Sequence, residues 1–78
     1  MTNNLDAHIG SRIQITRKKA GLSQSQLAEF VGVSTRQVRR WEAGNSCVPS
    51  VHLYKIAKHL NMPVESYFVG STLTHKEI

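Results

Sequence analysis

Twice in quick succession this chain spells the start of a helix. Ser23 is followed three positions later by Gln26, and Ser34 by Gln37. Each pair has the spacing of a capping box, in which the Ser hydroxyl takes a free backbone N–H and the Gln side chain reaches back to the cap. Apolar residues bracket both boxes at the staple positions, Leu22 with Leu27 and Val33 with Val38. Gly32 stands between the two, where a tight turn needs a residue free of Cβ strain, and Gly44 follows the second as a helix terminator. The spacing predicts a helix over about 24–31 and another over about 35–43, joined by a short turn.

The charge on the second of these helices is the next constraint. At about 100° per residue, Val38 and Trp41 fall on one side and face a core. Arg36, Arg39 and Arg40 fall on the other, within roughly 50° of their mean direction. Their spacing makes like-charge pairs at i+3 and i+4, each costing a few tenths of a kcal/mol. Arg36 also occupies the first turn, where the helix dipole disfavours a cation by about 0.3–1 kcal/mol. No acid on the outer face offsets them, because Glu42 turns toward the core edge. A local rule broken without internal compensation marks a functional surface.

Two short helices joined by such a turn form a helix-turn-helix. Through the spacing of Gln24, Ala28, Gly32, Val38 and Trp41, the segment resembles the lambda-repressor/Cro-like (XRE-type) DNA-binding family. The resemblance covers about residues 9–70 and implies an all-α, five-helix domain with the helix-turn-helix at helices 2 and 3. It implies sequence-specific binding of double-stranded DNA by a transcriptional regulator, a repressor, with the third helix in the major groove. Position matching then assigns Thr35, Arg36 and Arg40 to base edges. Gln24, Gln37, Arg39, Asn45 and Ser46 fall to the phosphate backbone or groove walls. Arg17 and Glu42 occupy the positions that the family joins in a structural salt bridge. Thr16 stands where the family pattern has a leucine, so looser packing is expected there. Family members bind as two-fold dimers, so a palindromic operator and a weak homodimer are expected. The candidate dimer contact is Tyr67, Phe68, Val69 and Leu73, with Ile15 beside them.

Flanking segments complete the reading. Residues 1–4 read as a flexible N-terminus, 5–70 as the domain, and 71–78 as a flexible tail. The first helix begins at Leu5 and carries Leu5, Ile9, Ile13 and Ala20 as an apolar stripe, ending at Gly21. Ser50 reads as the cap of a fourth helix carrying Leu53, Ile56, Ala57 and Leu60. Pro63 opens a fifth, Val64 to Val69, closed by Gly70.

With 78 residues and a formal net charge of +5, the chain is one small domain suited to a polyanionic partner. One cysteine, Cys47, rules out an internal disulfide framework. His52 and His59 lack a third ligand at metal-site spacing, so no metal or other cofactor is expected. The start has no secretory pattern, no run approaches membrane length, and the expected location is the cytoplasm. No nucleophile–base pair, paired carboxylates or phosphate-cradling glycine loop is present, which argues against an enzyme. The competing reading is an antitoxin-like or adaptor module whose basic face docks an acidic protein.

Overall fold

A computed structural model describes residues 4–67, which form α1 (Asn4–Lys19), α2 (Gln24–Val31), α3 (Thr35–Glu42), α4 (Ser50–His59) and a terminal 3₁₀ turn (Val64–Tyr67). α1 packs on α3, α2 packs on both α3 and α4, and the 3₁₀ turn closes against α1 and α4. The core between them holds Ile9 and Ile13 of α1, Leu27, Ala28 and Val31 of α2, Val38 and Trp41 of α3, and Leu53, Ile56 and Ala57 of α4. These positions follow the helical spacing of the apolar residues, which buries one stripe of each amphipathic helix.

Two glycines set the helix geometry. Gly32 has φ +86° and ends α2, its N–H bonding Ala28 O at 2.8 Å. A side chain would strain that left-handed residue. Gly10 lies mid-helix in α1, where a Cβ would collide with the Trp41 carbonyl oxygen and crowd the Glu42 carbonyl carbon at 3.2 Å. The missing side chain lets the α1 backbone rest directly on the end of α3.

Several sequence expectations need correction. Helix α1 starts at Asn4, one residue early, and Ala20 is exposed in the turn after it rather than part of the stripe. Ser50 does not cap α4. It is already helical, and Pro49 with φ −60° and ψ 146° takes the cap position without a side-chain bond. The count is four α-helices among the described residues, not five. Ser66 explains the tight last turn, because its N–H and its hydroxyl both donate to Pro63 O, at 3.0 and 2.8 Å. That i to i−3 pattern favours 3₁₀ over α geometry. Tyr67 is fully buried, so it belongs to the core and not to a dimer patch. Phe68, Val69, Gly70 and Leu73 lie outside the described residues. Ile15 is 43 % exposed.

Thr16, expected to pack loosely, is buried with its hydroxyl spent on Arg12 O at 2.8 Å and lying 3.4 Å from the Tyr67 hydroxyl. A buried polar pair thus replaces the leucine contact. Burial pushes the Tyr67 phenol above its ordinary value, opposed in part by the Thr16 hydrogen bond and the Arg12 charge. No described helix is long and apolar enough to cross a membrane.

Candidate nucleic-acid interface

The helix-turn-helix is assembled from its caps inward. Ser23 Oγ accepts from Gln26 N at 3.0 Å, and Gln26 Oε1 accepts from Ser23 N at 2.8 Å, so the first box is complete. The second forms only its serine half, Ser34 Oγ accepting from Gln37 N at 3.0 Å. Gln37 instead donates through Nε2 to Ser46 Oγ at 3.1 Å, tying α3 to the loop that follows it. The two helices are further joined by Thr35 Oγ1 donating to Ser25 Oγ at 3.3 Å.

Glu42 fixes this unit to the rest of the domain. Arg17 donates to it twice, Nε to Oε2 at 2.6 Å and Nη2 to Oε1 at 3.1 Å. Gln24 Nε2 adds a third bond to Oε1 at 3.0 Å, and Arg17 Nη1 reaches Leu22 O at 2.7 Å. The ion-paired side chains are only 8 % and 3 % exposed. At such burial an ion pair holds only when its geometry and remaining hydrogen bonds are satisfied, and here they are. α1, the start of α2 and the end of α3 therefore meet at one carboxylate.

With Glu42 turned inward, the outer face of α3 is cationic alone. Arg36, Arg39 and Arg40 are exposed, and none has an ion-pair partner among the described residues. Together with Ala43 and Asn45 they line an open cleft of about 460 Å³. Asn45 is placed by the turn after α3, where its N–H bonds Arg40 O at 2.9 Å and Gly44 has φ +77°.

The structure thus brings Arg36, Arg39, Arg40 and Asn45 onto one surface. Gln37 and Ser46 sit together on a neighbouring flank, and Thr35 is half-buried against Ser25. Gln24 is held by Glu42 on the side of the Arg17 bridge. Ala43, four residues after Arg39, lines the cleft without having been singled out by the sequence. The sequence reading also passed over Phe30, Val51 and Tyr54, which are exposed apolar residues elsewhere on the surface. No group of three or more metal-binding side chains occurs among the described residues.

The chain matches known proteins across this same unit. A family model described as helix-turn-helix (HTH_3) matches residues 13–66. An uncharacterized HTH-type transcriptional regulator of Sinorhizobium medicae is 38 % identical over 66 residues, covering 85 % of this chain and 48 % of the relative. The chain therefore spans about half the length of that curated relative. Among solved structures, the restriction-modification controller protein C.AhdI of Aeromonas hydrophila superposes with a TM-score of 0.75 at 30 % identity, covering 81 % of this chain and 96 % of the other. SinR, a master regulator for biofilm formation solved in complex with DNA, gives a TM-score of 0.70 at 34 % identity over 77 % of this chain and 97 % of the other. The arrangement of caps, turn and second helix and these matches lead to one conclusion: the chain belongs to the XRE-type helix-turn-helix family.

Proposed function

We propose that this chain binds double-stranded DNA sequence-specifically, with α3 in the major groove, as the DNA-binding unit of a transcriptional repressor. The observation that carries the reading is the set of three exposed arginines, without an ion-pair partner among the described residues, on a helix whose other face is buried in the core. The resemblance to SinR, whose solved structure contains DNA, supports it. Arg36 and Arg40 suit bidentate contact with guanine O6 and N7, and Thr35 borders them at the start of the helix. Arg39 and Asn45 meet the groove wall, while Gln37 and Ser46 approach the backbone on the neighbouring flank. Gln24 keeps one amide hydrogen for a phosphate contact near the N-terminus of α2. Phosphate contacts fix register and base contacts specify sequence.

One helix reads few base pairs, so two copies bind a palindromic site, with half-sites about 34 Å apart. Selection of bound sequences from a random duplex pool tests the reading. The expected result is a consensus with two-fold symmetry and at least one G·C pair in each half. Equal retention of all sequences would remove it in favour of a module for an acidic protein.

A further inference from the structure

A second cleft, of about 290 Å³, opens on the loop-side flank of α3, lined in part by Gln37, Trp41, Ser46, Cys47 and His52. Trp41 is 1 % exposed, and its indole Nε1 has no hydrogen-bond partner among the described residues. His52 Nδ1 is likewise buried and unpartnered, and the two rings lie 5.5 Å apart between centroids. An indole N–H can only donate, and a buried donor left unmade is a liability that native structures rarely keep without a use. Ser46 accepts from Gln37 and so retains its own proton to donate. No carboxylate lines the cleft. Its chemistry is that of a seat for an anionic oxygen.

Position says which anion. Gln37 and Trp41 lie about 100° and 140° around α3 from Arg36, between the base-facing arginines and the core. A helix lying in the major groove has a phosphate strand along each flank. We propose that this cleft seats one backbone phosphate of the bound duplex, with the Trp41 indole N–H as the central donor and Ser46 and His52 beside it. The proposal rests on the DNA-binding reading above and deepens it. Trp41 then has two roles, a core ring on one edge and a phosphate donor on the other.

The chain has a single tryptophan, so the native protein gives one indole ¹H–¹⁵N signal and no variant is needed. Titration with the selected duplex should move the indole proton downfield and slow its exchange with solvent. Methylphosphonate placed at one phosphate at a time should abolish one copy's shift at a single position in each half-site, lowering affinity there about tenfold. The side-chain Nε–H signals of Arg36 and Arg40 report groove engagement separately. If they move while the indole stays, the seat is overturned and the groove reading stands. If none moves, both fall. An indole that responds fully to millimolar inorganic phosphate, with nothing added by duplex, would make the cleft a free-anion site and overturn its assignment to DNA.

Discussion

The two faces of α3 obey opposite rules. On the inner face, Val38 and Trp41 are buried and Glu42 receives three hydrogen bonds from Arg17 and Gln24. On the outer face, three arginines repel one another, and one of them opposes the helix dipole. The inner face is optimised for the fold. The outer face costs the fold something, so its composition answers to a partner. Substitutions on the inner side should therefore change stability and leave the bound sequence alone, while those on the outer side should do the reverse.

The strongest test of this division is Glu42→Ala. It leaves Arg17 buried with only the Leu22 carbonyl, and we expect a loss of about 3–5 kcal/mol in urea unfolding with the selected consensus unchanged. Replacing both partners, as Arg17→Met with Glu42→Leu, should recover most of that loss, because buried pairs exchanged together for apolar residues are often neutral. A Glu42→Ala protein with an unaltered unfolding midpoint would show that the bridge does not hold α3 in place.

Next in size is Gly10→Ala, which touches α3 from outside. Alanine gains up to about 1 kcal/mol of helix propensity over glycine, yet its Cβ meets a backbone carbonyl that cannot move aside. A net loss of about 2–3 kcal/mol is expected, again measured by denaturation. A stabilised variant would mean that α1 slides freely over α3.

On the outer face, Arg36→Ala and Arg40→Ala should each cost about 1–3 kcal/mol of affinity for the preferred site and relax base choice at defined positions. Neither should lower the thermal midpoint, and Arg36→Ala should raise it slightly by removing a cation from the first turn. Selection on each variant, set beside its melting curve, checks both halves. A consensus unchanged by either substitution would move the reading surface elsewhere.

The smallest effect concerns pH. The Tyr67 phenol titrates higher in the folded chain than in the unfolded one because burial disfavours its charged form. The folded state therefore holds that proton more tightly. The associated stability is complete below the unfolded value near 10 and is lost as pH rises through the folded one. Tyr67→Phe should flatten this alkaline decline in a pH series of unfolding midpoints while leaving DNA selection as it was.

The caps show how far sequence alone reaches. Ser23 and Ser34 are legible because each bonds a backbone N–H three residues away, a matter of local geometry. Gln26 completes its box by accepting from Ser23 N. Gln37 does not, since Ser46, nine residues on, offers a tertiary partner. Spacing cannot reveal that competition. The same limit applies at Tyr67, whose burial depends on a pairing with Thr16 across 51 residues. Gly10 was readable in principle, because a glycine inside a helix costs about 1 kcal/mol and so marks a close approach. Which element approaches was not.

The meeting of Arg17, Gln24 and Glu42 also bears on the order of events in folding. Both bonds from Arg17 to Glu42 span 25 residues, so they form only after α1, α2 and α3 have come together. The capped α2–α3 pair closes over much shorter loops and carries a smaller entropic barrier. On this ground the bridge is expected to contribute little to the folding transition state and to act as a latch on the finished domain. Breaking it should speed unfolding far more than it slows folding, so the lifetime of the proposed reading surface, and not the time needed to build it, would be set by a carboxylate buried behind that surface.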